Sequence, residues 1–146
     1  MKHILKGTLL ALCGGCLYIL LEWIWRGYSH WTMGILGGIC FALIGLLNET
    51  SARQTPLLWQ GAIGSACIIT PLEFLTGCIV NLWLGWDIWD YTALPCNLLG
   101  QVCLPFALLW VPVAMAAVLV DDGLRWHFFG EEPPHYTLIA PRKTPT

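Results

Sequence analysis

Charge is what this chain has least of. Its 146 residues include seven Lys or Arg and nine Asp or Glu, and these are unevenly spread. Ile4 to Leu21 holds a single charged side chain, Lys6. Gly27 to Asn48, Gln54 to Leu72 and Tyr91 to Val120 hold none. A soluble domain carries about a quarter of its residues charged, against 11% here, so an ordinary soluble fold is excluded. There is no basic patch, and no nucleic-acid partner is expected. The HExxH, GxSxG and phosphate-loop patterns are missing, which removes the usual soluble catalytic signatures. No metal and no cofactor are expected.

What is present is hydrocarbon. The hydrophobic fraction is 57% and the mean hydropathy +0.66. A membrane core ~30 Å thick needs helices of roughly 20 apolar residues, and the charge-free runs supply them. The expected fold is all-α and integral to the lipid bilayer. Four transmembrane helices fall at about 4–25, 32–48, 57–82 and 98–120, forming two hairpins within residues 1–126. Continuous rather than alternating apolar runs exclude a β-barrel. Residues 127–146 are expected to form a loose tail, with prolines at Pro133, Pro134, Pro141 and Pro145. The first run follows Lys2 and Lys6 but has no small-x-small cleavage site, and Leu12 is too large beside Cys13 for a lipoprotein signal. It reads as a retained helix. The seven cysteines lie in apolar stretches and read as small buried hydrophobes. Cys13 and Cys16 have redox-motif spacing, but they sit mid-helix, where a thiolate is disfavoured.

Four crossings put both termini on one side, with Lys2, Lys6, Arg53, Arg125, Arg142 and Lys143. The other side has Arg26 alone. Basic residues gather on the cytoplasmic side of inner-membrane proteins, so both termini are expected inside and the 83–97 loop outside. Trp23, Trp25, Trp31, Trp83, Trp86 and Trp89 then gather at the outer boundary as an aromatic belt. The hairpins also echo one another. Leu21-Glu22-Trp23 resembles Leu72-Glu73-Phe74, and Leu36 to Phe41 resembles Leu99 to Leu104. Either the hairpins are a parallel repeat about the membrane normal, or short apolar matches have arisen by chance.

The polar residues converge on one level. At 1.5 Å per residue, Glu22 and Glu73 lie ~24–26 Å above the inner boundary. Arg26 is one turn beyond Glu22. Asn81 ends the third helix, Asn97 and Gln101 begin the fourth, and His30, Asp87 and Asp90 lie in the outer loops. Nine such groups at one depth suggest a polar pocket opening outward. Arg26 is expected to neutralise Glu22, Glu73 or both. The alternative for Glu22 and Arg26 is a simple pair at the headgroups. Glu73 is the centre of the pocket reading, since it sits inside a span just after Pro71. At the inner end, Asn48, Glu49, Asp121, Asp122 and Arg125 form either a cytoplasmic contact surface or a solvated helix end, with Asp121 and Arg125 spaced to pair.

These residues also carry a family likeness. Glu22-x-x-x-Arg26-Gly27-x-x-His30-Trp31-x-Met33, Gly37-Gly38 and Gly45-x-x-Asn48-Glu49 resemble the start of the bacterial family known as putative ABC-transporter type IV, or CmpB-like, permeases. Thr70-x-x-Glu73-Phe74-x-x-Gly77-x-Ile79-Val80-Asn81 and Asp90-Tyr91-x-x-x-Pro95-x-Asn97-x-x-Gly100-Gln101 continue the likeness, and Asp121-Asp122-x-Leu124-Arg125 closes it. The resemblance implies a small permease-like membrane subunit of the bacterial inner membrane, oligomeric, working with a separate ATPase subunit. Two other readings remain open from the residues. One is an intramembrane enzyme acting on a lipid or headgroup, with Glu22 or Glu73 as acid-base. The other is a non-transporting scaffold.

Orientation gives the first test. A membrane-impermeant thiol reagent should label Cys96 in intact cells and miss a cysteine placed at Thr146. The reverse pattern would overturn the topology.

Overall fold

The computed structural model describes residues 2–52 and 55–139. Arg53, Arg142, Lys143, Pro141, Pro145 and Thr146 lie outside the described residues. Among the described residues, four helices are long and apolar enough to cross a membrane: His3–Arg26, Trp31–Thr50, Leu57–Trp83 and Leu104–Phe129. The protein is therefore an all-α, multi-pass membrane protein.

The first hairpin joins α1 (Lys2–Arg26) to α2 (Trp31–Leu47). Gly27 ends α1 with φ +79°, a conformation that costs glycine nothing. His30 then caps α2 in an extended conformation, its Nδ1 accepting the Thr32 N–H at 3.4 Å. The two helices meet backbone to backbone. A Cβ at Gly15 would fall 2.5 Å from the Gly34 carbonyl oxygen, and one at Gly38 would fall 2.6 Å from that of Ala11. Without a hydrophobic drive between helices in lipid, small residues of this kind supply close packing. The outer face of α1 remains apolar and exposed at Ile4, Leu5, Leu12, Leu20 and Ile24, as a lipid-facing surface should be.

The third crossing is not one regular helix. It runs through α3 (Leu57–Gly64), a π-helical turn (Ser65–Ile69), α4 (Thr70–Gly77) and a second π-helical turn (Cys78–Trp83). Pro71 has no N–H to donate and crowds the preceding turn. The helix answers by widening just before it, with the Thr70 N–H bonded to the Ser65 carbonyl. The Ser65 hydroxyl ties this turn to the next crossing through the Ala107 carbonyl at 2.5 Å.

The fourth crossing begins later than its hydropathy predicts. Residues 97–103 form a small antiparallel ladder, β1 (Asn97–Leu98) with β2 (Val102–Cys103). Leu99 and Gly100 turn it with positive φ, and the Gln101 N–H bonds the Leu98 carbonyl at 3.0 Å. Asn97 and Gln101 are therefore loop residues, not the first turn of a helix. Helix α5 (Leu104–Phe129) carries Pro105 in its first turn and is capped by Gly130 at φ +67°. It also runs well past the expected end near residue 120.

The core lies between α2, the third crossing and α5, around Leu36, Cys40, Ile44, Ile69, Trp110, Ala114 and Val118. Helix α1 packs mainly on α2 and touches α5 little. The tail is less loose than its prolines suggest. The Thr137 and Leu138 carbonyls accept the Leu57 and Leu58 N–H groups at 2.9 and 3.2 Å. They occupy free donors at the α3 N-terminus that no side chain caps. Tyr136 and an ion pair between Lys6 and Glu131 hold the tail as well.

Adding a side chain at the glycine seam should separate α1 from α2. Gly15→Val and Gly38→Val are expected to destabilise the fold by about 1–3 kcal/mol, read as a lower thermal midpoint in detergent. Gly7→Ala, where a Cβ meets nothing within 4 Å, should not lower the midpoint, since alanine is the better helix former. Unaltered stability of the seam variants would contradict the packing.

Candidate functional site

Glu73 is the single acid of the third crossing, with 2% of its surface exposed. Its Oε2 accepts the indole N–H of Trp110 on α5 at 2.8 Å, and its Oε1 accepts the Tyr91 hydroxyl at 3.0 Å. Both donors are neutral. The Tyr91 ring is fixed by stacking on Phe106 at 4.6 Å. Tyr91 lies in the loop between the third and fourth crossings, where burial first and the Glu73 carboxylate second push its phenol well above the ordinary tyrosine range. It is thereby kept as an O–H donor. Two separate pieces of chain, the loop and α5, converge on a carboxylate carried by a third.

Above it sits a second polar unit. Asn81 donates to the Trp89 carbonyl at 3.0 Å and to Gln101 Oε1 at 2.8 Å, and accepts the Ile88 N–H at 2.7 Å. Trp89 closes the ring by donating to the Gln101 carbonyl at 2.9 Å. The Gln101 side chain lies over Gly77, where a Cβ would meet it at 2.5 Å. Asn81 and Gln101 are both buried. Their bonds run among themselves and to the loop backbone, so this unit folds the outer loop onto the third crossing.

Arg26 pairs with Glu22 at 2.6 Å and reaches the Ile88 carbonyl at 3.2 Å. Among the described residues it makes no ion pair with Glu73, whose partners are Tyr91 and Trp110 instead. Of the three alternatives for Arg26, namely Glu22, Glu73 or both, the structure forms the pair with Glu22 alone. Ser29 adds a bond to Glu22 at 2.5 Å, and the guanidinium lies 4.7 Å from the Tyr28 ring centroid. His30 caps α2 beside Trp31 and Trp86. Asp87 is exposed at positive φ. Asp90 bonds the Thr92 backbone and hydroxyl, and Asn97 bonds the Thr92 and Leu94 carbonyls. Asp90 and Asn97 thus shape the outer loop.

At the opposite end of the bundle Asp121 is fully buried against Gly45, and Arg125 holds it at 2.5 Å and approaches Glu49 at 3.9 Å. Asn48 donates to Asp122 at 2.7 Å, and the Tyr136 hydroxyl donates to the other oxygen of Asp122 at 2.6 Å. The five residues singled out there are brought together, with Tyr136 added from the tail.

A cavity of about 360 Å³ lies between α1, α2 and α5, beside Glu73. Its walls are apolar apart from a few groups, and Leu17, Leu20, Leu21 and Ile24 line it while remaining exposed on the lipid-facing side. Of the nine residues assigned to an outer pocket, Glu73 lines this crevice; the other eight are not among its walls. Tyr18, Trp110 and Tyr91 are functional candidates that the sequence did not single out. Trp110 and Tyr18 lie within uniformly apolar runs, where an aromatic side chain gives no signal of its own.

The outer unit offers a test of structure. Asn81→Leu leaves the Ile88 N–H and the Trp89 carbonyl without their partner, at about 1–3 kcal/mol for each group. Thermal unfolding of Asn81→Leu, Gln101→Leu and the double variant should show coupling of about 0.5–3 kcal/mol. Additive losses would mean that the two amides act separately.

No curated protein and no solved structure matches the chain significantly. A family model does, over residues 16–138, and its description is "Putative ABC-transporter type IV". That span takes in the Glu22–Arg26 pair, Glu73 and its two donors, the Asn81–Gln101 unit and the inner cluster. The chain belongs to the putative ABC-transporter type IV family.

Proposed function

We propose that the chain is the membrane subunit of an ABC-type transporter of the bacterial inner membrane, with Glu73 as the polar centre of its substrate path. The observation that carries this reading is a buried carboxylate in a crossing helix, held by neutral donors from two other segments and lining a crevice. Ionisable groups at membrane depth are expensive and mark pathways. The third crossing has the broken backbone that membrane sites use, with π-helical turns on both sides of α4. Both termini face the cytoplasm in this reading, and the 83–97 loop faces outward. Glu22, Arg26, His30, Asn81, Asp87, Asp90, Asn97 and Gln101 form the outer polar rim around Glu73, with Asn81 and Gln101 holding the loop that covers it.

In the inner cluster the partly exposed Glu49, Asp122 and Arg125 form the contact surface for a separate ATPase subunit, braced from behind by the buried Asn48 and Asp121. Its bonds join the end of α2, the end of α5 and the tail. A force applied there would be felt by three segments at once. A second copy of the chain completes the membrane unit.

Glu73→Gln keeps the shape of the side chain and removes its charge. The variant is expected to insert normally and to retain a copurifying ATP-hydrolysing subunit. It should lose at least about tenfold of transport-dependent function, the equivalent of roughly 1.4 kcal/mol of interaction. Full function of Glu73→Gln, or a functional purified complex without ATP hydrolysis, would contradict the proposal.

A further inference from the structure

The crevice beside Glu73 has a definite chemistry. It is about 360 Å³ in volume, within the range of roughly 300–1,000 Å³ that small-molecule sites occupy. Leu17, Leu20, Leu21 and Ile24 line it and are also exposed on the outside of the helices. Its mouth therefore opens sideways, towards hydrocarbon rather than towards water. An apolar space of this kind does not hold ordered water well.

One wall does not fit an apolar space. Glu73 is the single carboxylate among the lining residues. The ion pairs among the described residues engage Glu22, Glu49, Asp121 and Glu131, not Glu73. The two bonds it accepts come from the neutral Trp110 and Tyr91. Each carboxylate oxygen can accept a further bond or face a charge. Two aromatic rings, Tyr18 and Trp110, also line the crevice, with centroids 6.0 Å apart. Aromatic rings attract cations where water is excluded. A buried carboxylate without a cationic partner is costly. A ligand that brings one positive charge on an apolar body would offset that cost and fill the remaining space. An apolar anion would meet like charge, and a neutral hydrocarbon would leave Glu73 uncompensated.

We infer that this crevice binds a lipophilic monocation entering from the hydrocarbon layer, with the Glu73 carboxylate as its counter-charge and Tyr18 and Trp110 beside it. The inference rests on Glu73 being the centre of the substrate path, and it names the class of cargo.

The test uses an isosteric pair of opposite charge. The full-length protein in lipid nanodiscs is titrated with radiolabelled tetraphenylphosphonium and, separately, with tetraphenylborate, against empty nanodiscs. Saturable binding of the cation above lipid partitioning is expected, with at least about tenfold weaker binding of the anion. Glu73→Gln should weaken cation binding by at least about tenfold and should bring the two ions closer in affinity. Ala116→Trp plugs the crevice from an exposed lining position and leaves Glu73 in place. It should abolish cation binding with an unchanged thermal midpoint, so the test stands even where Glu73→Gln fails to fold. Equal binding of both ions, cation binding that survives Ala116→Trp, or no saturable binding by the wild type would overturn the inference. Binding requires no ATPase subunit. Cation binding without transport would therefore sink only the transport reading, and transport of some other solute without cation binding would sink only this one.

Discussion

The structure is organised around a carboxylate, Glu73, that among the described residues has no cation beside it. Placing Glu73 inside a crossing helix costs free energy unless its oxygens are given donors. Two neutral donors are supplied, one from α5 and one from the loop that precedes it. Meeting that requirement fixes much else. Trp110 must face the third crossing, which sets how α5 lies against α4. Tyr91 must fold inward from the loop, and Phe106 at the start of α5 stacks on it and keeps it there. The same residue thus joins the third crossing, the fourth crossing and the loop between them.

The backbone around this point is irregular in a way that serves the arrangement. Pro71 frees a turn of the helix just before Glu73, and the helix widens there instead of breaking. A second widening follows at Cys78–Trp83, where Asn81 turns its amide towards the loop. The loop therefore does not hang free above the membrane. It is tied to Asn81, and through the Gln101 and Trp89 bonds to the short ladder that precedes α5. The inner end is held by an independent set of bonds around Asp121, Asp122 and Arg125. Polar ties close the two ends of the molecule, and a glycine seam and an apolar core join the middle.

The four crossings were legible because a bilayer imposes length and composition on each one. So was the place of Glu73 inside the third crossing, which spans Leu57–Trp83. The spacing of Glu22 with Arg26, and of Asp121 with Arg125, gave pairs that the structure forms. The start of α5 was not legible. Asn97 to Cys103 is as apolar as a helix, and the turn that interrupts it depends on positive φ at Leu99 and Gly100. The partners of Glu73 were hidden for a related reason. Tryptophan and tyrosine are common in membrane segments, and nothing in the sequence marks which of them turn a donor inward. A cation one turn from an acid is conspicuous, and Arg26 drew the assignment that Trp110 and Tyr91 fill. The tail was misjudged because its prolines speak against regular structure, and they say nothing about carbonyls capping another helix.

The central claim is that neutral donors, rather than Arg26, hold Glu73. The infrared carboxyl band of Glu73 in lipid bilayers reports this directly. The band is assigned by isotope-labelled glutamate and by its loss in Glu73→Gln. Trp110→Phe and Tyr91→Phe should each shift it, since each removes one hydrogen bond, while Arg26→Ala should leave it where it is. A band that moves with Arg26→Ala and is indifferent to Trp110→Phe and Tyr91→Phe would contradict the account.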